Sequence, residues 1–237
     1  MIEHIQFSSL TDCQRLFHGR GHAYPGLEHV NLDWLAPVLL ITLYQEVDEA
    51  WLLDQAHQLK NQIKECLSVQ VQYRCRKMAP TQLLLGDSIE VTQVQENELQ
   101  YHIELGKAQN TGLFLDMKNG RQWVQANSNN KNVLNLFSYT CAFSVAALAG
   151  NAKQVVNIDL SKASLSKGRE NHRLNKQDLS KVVFQGVDIF KSFGRIKKYG
   201  PYDLLICDPP SFQKGSVNIQ RDYGKILRRI PDFMTPN

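Results

Sequence analysis

The sequence predicts an α/β chain: a doubly wound parallel sheet, left incomplete toward the C-terminus, preceded by a smaller α+β domain. Two observations carry this. Between residues 132 and 207, short apolar runs alternate with helical stretches, the spacing of parallel strands joined by crossover helices. Before residue 107, extended and helical segments mix without that regular alternation. Hydrophobic residues make up 43% of the 237 positions, enough to build a core in each part.

Taken in order, Pro37 to Glu46 (PVLLITLYQE) suits a buried strand. Val47 to Leu67 carries apolar residues at helical spacing, with Asp48 and Glu49 placed to favour its N-terminus. Ser68 to Cys75 (SVQVQYRC) alternates apolar and polar and predicts a half-exposed strand. Ser88 to Val94 and Leu99 to Leu105 read as extended, with Gln95 to Glu98 turning between them. A boundary is expected within 106–112, dividing a domain of residues 1–107 from one of 108–237. Beyond it, Asn132 to Phe137, Gln154 to Asp159, Lys181 to Val187 and Tyr202 to Cys207 are strand candidates, and Ala142 to Ala149 and Leu165 to Asn175 are helix candidates.

Bulk properties exclude several classes. No apolar run approaches the roughly 18 residues that span a bilayer, and Met1-Ile2-Glu3-His4 does not open a signal peptide. Cys13, Cys66, Cys75, Cys141 and Cys207 form no CxxC pair, so neither a disulfide framework nor a metal site is expected. A cytoplasmic location and no membrane partner follow as expectations. Net charge is +4, but its distribution is uneven. From Ser161 to Gly200 there are ten Lys or Arg residues, opposed only by Glu170, Asp178 and Asp188. Such an excess attracts a polyanion, although a solvated helix face would look the same.

In an open parallel sheet, ligands bind beyond the carboxyl ends of the strands. Phe137-Ser138-Tyr139-Thr140, Asp159, Asp188 and Asp208-Pro209-Pro210-Ser211-Phe212 all fall there. A carboxylate at Asp159 suits the two hydroxyls of a ribose; the competing role is a helix cap. Asp188 suits an adenine amino group, or else is a solvated loop acid. Two prolines stiffen the Asp208 loop and offer no N–H, leaving acceptors for an amino-bearing base on which Phe212 stacks.

Together with Thr111-Gly112-Leu113-Phe114-Leu115-Asp116 and Val133-Leu134-Asn135-Leu136, these segments resemble the Rossmann-like class I methyltransferases of bacterial 23S rRNA, which include cytosine-C5 and guanine-N7 enzymes. The resemblance implies S-adenosylmethionine as cofactor. It implies that Asp116 and the Phe137–Thr140 loop approach its methionine end, Asp159 its ribose and Asp188 its adenine. Asp208, Pro209, Pro210 and Phe212 then meet the target base, RNA is the partner, and residues 1–107 form the RNA- or substrate-recognition domain. The family has Gly after Tyr-Thr, where this chain has Cys141-Ala142. A complete sheet of the family also has strands beyond the four read here, and an unpaired edge could promote a homodimer.

Methylation of guanine N7 needs no covalent help, whereas cytosine C5 requires a thiolate. No cysteine follows Asp-Pro-Pro, which favours N7 slightly. Competing readings are a small-molecule methyltransferase, a non-catalytic RNA-binding remnant and a nicotinamide-dependent enzyme. The last would need a glycine-rich turn, and Ser138 to Ser144 contains no glycine.

Overall fold

The computed structural model describes residues 1–7, 9–210 and 219–236. The chain forms two compact units, Met1–Asp116 and Met117–Asn237.

The first unit is built on a five-stranded sheet. Its strands are β1 (Gln14–His18), β2 (Val30–Leu35), β3 (Val38–Leu43), β4 (Ser68–Tyr73) and β5 (Thr81–Gly86), side by side in that order. Only β3 and β4 run parallel, and the crossover between them is helix α1 (Glu49–Gln62). Asp48 caps α1 by accepting the Trp51 N–H at 2.8 Å. The helix buries Leu52, Ala56 and Leu59 with Val30, Leu32, Trp34, Leu39, Ile41, Leu43, Val69 and Val71, which line one face of the sheet. A hairpin of β6 (Val91–Glu96) and β7 (Leu99–Glu104) follows. Its two-residue turn places Asn97 and Glu98 at positive φ, 49° and 66°, matching the right-handed twist of the strands.

The expectation of a half-exposed strand at Ser68 to Cys75 is corrected, because every residue of β4 is buried. The polar side of the alternation faces protein, not water. Gln70 Nε2 donates to the Ile89 carbonyl at 2.7 Å and Gln72 Nε2 to the Ala108 carbonyl at 3.4 Å. Buried amides are tolerated because those carbonyls satisfy them. Residues 105–112 also fold back on β7, where the Glu104 N–H donates to the Thr111 carbonyl at 2.9 Å. The division between the units therefore falls after Asp116 rather than within 106–112.

The second unit begins with α2 (Lys118–Asn127) and then alternates: β8 (Asn132–Leu136), α3 (Ala142–Ala149), β9 (Gln154–Asp159), α4 (Lys162–Leu174), β10 (Val182–Gly186), α5 (Phe193–Lys197), β11 (Leu204–Cys207), α6 (Ile219–Leu227) and α7 (Ile230–Phe233). All described strand pairs are parallel, in the order β10-β9-β8-β11. Val133 and Val155 pack with Val124 of α2 and Ala147 of α3 on one face. Leu134 and Val156 pack with Ile196 of α5, Ile226 of α6 and Phe233 of α7 on the other. Helices thus cover both faces, as a doubly wound sheet requires. The order reverses between β8 and β11, where such sheets open a ligand crevice at their carboxyl ends.

A buried polar chain links strands and helices on the α3–α4 face. Asn135 Nδ2 donates to Asn157 Oδ1, and Asn157 Nδ2 to Ser144 Oγ, both at 2.9 Å. Ser144 Oγ lies 2.9 Å from His172 Nε2, and His172 Nδ1 lies 2.6 Å from Gln177 Oε1. Gln177 Nε2 in turn donates to the Val145 carbonyl at 2.8 Å. These donors fix the rest. The Ser144 hydroxyl accepts from Asn157 and donates to Nε2, so the His172 proton sits on Nδ1 and points at Gln177. Burial, the largest influence, depresses the His172 pKa from 6.5 to about 4.

A base whose pKa falls on folding contributes stability that is complete above its unfolded value and is lost as pH drops toward the folded one. The loss here lies between pH 6.5 and about 4 and is on the order of 3 kcal/mol. Urea midpoints at pH 7.5 and 4.5 are expected to fall with acid in the native chain. In His172→Phe the midpoint is lower at both pH values and this part of the acid dependence is gone; an unchanged pH slope would remove His172 as its source.

Candidate functional site

The registers of the second sheet bring its candidate site residues to one rim. Leu136 pairs with Ile158 on β9 and with Cys207 on β11, so Phe137, Asp159 and Asp208 follow at the same level. Asp159 itself pairs with Gly186, and Asp188 lies just beyond on the neighbouring strand end. Four strand ends therefore present Asp188, Asp159, the Phe137–Thr140 turn and Asp208-Pro209-Pro210 side by side. Ser211 and Phe212 lie outside the described residues. Asp116 closes the first unit, in a 3-10 turn at Leu115–Met117. Its charge acts on an ion pair in that unit between the exposed Arg15 and the buried Asp33. Arg15 Nε donates to Asp33 Oδ1 at 2.8 Å.

The turn after β8 has an unusual backbone. Phe137, Tyr139 and Cys141 adopt positive φ of 56°, 47° and 61°, each costing a non-glycine residue about 1–2 kcal/mol. Neighbours hold it there. The Ser138 N–H donates to the Ile158 carbonyl at 3.1 Å, and the Cys141 N–H to the Ser138 carbonyl at 2.7 Å. The Tyr139 N–H donates to Asp159 Oδ2 at 2.8 Å, and Asn171 Nδ2 of α4 donates to the Thr140 carbonyl at 3.0 Å. Strain held by several independent contacts is characteristic of ligand-binding turns.

Asp159 is the hub. Its Oδ1 accepts the Ser161 N–H at 2.8 Å while Oδ2 holds Tyr139. Capping of α4 is done instead by Ser161, whose Oγ accepts the Ser164 N–H at 3.1 Å. Each Asp159 oxygen keeps further acceptor capacity, in a geometry set by two backbone groups. Asp188 accepts the Phe190 N–H at 2.9 Å and so caps the short 3-10 turn Ile189–Lys191. Asp208 is exposed at the end of β11.

These residues fit an adenosine-bearing sulfonium. Asp159 offers acceptors to vicinal hydroxyls beside a turn held off the sheet edge, and the Ser138 Oγ in that turn is buried without a hydrogen-bond partner. The cysteines here are held as thiols. Burial pushes Cys141 far up, and burial followed by the Asp208 charge raises Cys207 to about 11.

The comparisons with known proteins agree. A sequence model of the S-adenosylmethionine-dependent methyltransferases matches residues 14–237. The chain belongs to that family. Relatives named ribosomal RNA large subunit methyltransferase I include those of Aeromonas salmonicida, 36% identical over 53% of this chain and 32% of the relative, and Erwinia tasmaniensis, 38% identical over 55% and 33%. The match thus spans about a third of these relatives' length. Among solved structures, the methyltransferase SMU.776 complexed with SAH aligns with a TM-score of 0.86 at 28% identity, over 97% of this chain and 60% of that one. An S-adenosylmethionine-dependent methyltransferase from Streptococcus mutans aligns at 0.84 and 28%, over 98% and 60%. The expected cofactor and the Rossmann-like fold stand with the family.

Sequence reading missed the supports of the turn: Asn171, Ser161 and above all Gly168. A Cβ on Gly168 would lie 2.4 Å from Cys141 Sγ and 2.8 Å from its Cβ. Cys141 follows Tyr139-Thr140 in this chain, and α4 makes room for it with a glycine of its own. An isolated glycine inside a helical pattern was the available signal.

Gly168→Ala is expected to destabilise the second unit by about 1–3 kcal/mol through this overlap. Adding Cys141→Gly, which removes both the clash and the strained φ, should restore most of the loss. Thermal melts of the two single variants and the double variant test this, and independent additive effects would disprove the contact.

Proposed function

We propose that this chain is the cofactor-binding part of a methyltransferase acting on a base of RNA, and specifically of large-subunit ribosomal RNA. The observation that carries the reading is Asp159, locked by the Tyr139 and Ser161 N–H groups beside a strained turn at the sheet's switch point. S-adenosylmethionine supplies an electrophilic methyl group when bound. Asp159 accepts the ribose hydroxyls, Asp188 lies near the adenine, and the Phe137–Thr140 turn lines the approach to the methionine end, with Asp116 assigned there by its place in the family pattern. Asp208 with Pro209 and Pro210 faces the target base with acceptors and no N–H. Phe212 is assigned to stacking on that base.

The rRNA assignment rests on the relatives' names, joined to the local excess of positive charge that a polyanion would favour. For the modified atom, Cys141 and Cys207 count against a covalent route through either thiol, since burial keeps both protonated. The residues of this chain therefore suit an atom nucleophilic by itself, such as guanine N7. Cytosine C5 would need a thiolate from elsewhere.

Calorimetry with S-adenosylmethionine should show binding, and Asp159→Ala should weaken it about tenfold or more, equivalent to about 1.4 kcal/mol. An affinity unchanged by the substitution would remove the ribose role. Methyl transfer to an unmodified large-subunit rRNA transcript, followed by mass-spectrometric mapping, tests substrate and atom together. Transfer to small molecules but not to the transcript would overturn the RNA reading.

A further inference from the structure

We propose that one stripe of helix α4, with Lys181 at the head of β10, is a docking surface for the phosphate backbone of RNA. This rests on the RNA reading above and adds where the RNA lies.

Strand β10 is an edge of the described sheet, and α4 runs along it in the opposite direction. At the far end of β10, a Cβ on Gly186 would lie 2.7 Å from Lys162 Cγ. Midway, the Arg169 guanidinium sits 4.4 Å over the Phe184 ring, which also receives the His172 ring edge-on at 5.8 Å. At the near end, the 3-10 turn Leu179–Lys181 leads directly into Val182.

The spacing then aligns the charges. Residues 162, 169 and 173 follow one another by steps of seven and four, which keeps them on one side of the helix, and Lys176 follows just past its C-terminus. Lys162, Arg173, Lys176 and Lys181 are exposed, and Arg169 is half-buried against Phe184. From Lys162 to Arg173 the helix rises about 16 Å, room for several successive phosphates. Between residues 162 and 181 there are six Lys or Arg and two carboxylates. Glu170 is taken up by Arg173, and Asp178 caps the turn before Lys181 by accepting the Ser180 N–H. The cations of this stretch outnumber its carboxylates by four, and a polyanion meeting such a surplus gains by counterion release. A second copy of the chain would bring a like charge to the same edge, which blocks edge-to-edge pairing. Arg169 stacked on Phe184 also offers a planar guanidinium beside the track, a group suited to phosphate and to unstacked bases.

The test uses the full chain and an unmodified large-subunit rRNA transcript. The double variant Lys176→Glu/Lys181→Glu should lose at least about tenfold in affinity near physiological salt, and its salt slope should fall by about one per lysine. Its S-adenosylmethionine affinity, read by calorimetry, should equal that of the native chain. Lys64→Glu, an exposed charge in the first unit, should leave RNA binding within about twofold, separating location from net charge. A double variant that binds the transcript like the native chain overturns the docking surface and leaves the methyltransferase reading intact. A native chain with no affinity for the transcript overturns the RNA reading itself.

Discussion

Everything at the rim of the second sheet depends on one carboxylate with two backbone partners. Asp159 ends β9, reaches across to the Tyr139 N–H after β8 and forward to the Ser161 N–H before α4. Through it, two crossover connections and a helix start share one fixed point. A charged acceptor for backbone N–H groups is stronger than a neutral one, and a residue so restrained has little freedom left to lose when a ligand arrives. That is the physical difference between an acid that happens to follow a strand and one held in a fixed geometry at the sheet's rim.

Beneath the rim, the Asn135–Asn157–Ser144–His172–Gln177 chain does the complementary task. Every donor in it has a defined acceptor, so β8, β9, α3 and α4 lock in one mutual arrangement. Apolar side chains alone tolerate small sliding at little cost, whereas a satisfied buried polar chain does not. The strained turn above it, with three non-glycine residues at positive φ, persists because its foundations cannot shift to relieve it.

Much of the second unit was legible from sequence. Gln154–Asp159 and Ala142–Ala149 coincide with the expected segments, because apolar runs in a parallel sheet are buried on both sides and end in recognisable loops. The first unit was read less well. β1, β2 and β5 went unrecognised: Gln14–His18 is broken by a register shift between Arg15 and Phe17, and Val30–Leu35 buries Asn31 and Asp33. Helix α2, with only Arg121 and Val124 buried, carries too narrow an apolar stripe to announce itself. The candidate acids were legible by position. Their partners were not, since Tyr139, Ser161 and Phe190 contribute backbone groups that no residue type reveals.

The polar underside of β4 bears on how the first unit is made. Every fully buried member of its apolar core lies at or before Tyr73, with Leu84 and Leu85 adding partly buried cover afterwards. The acceptors for Gln70 and Gln72 arrive later, at Ile89 and Ala108. On the ribosome the greasy face can therefore close first, while the amide face stays hydrated until the following segment emerges to seal it. Order of synthesis and order of burial run the same way, so no amide need be stripped of water before its permanent partner exists.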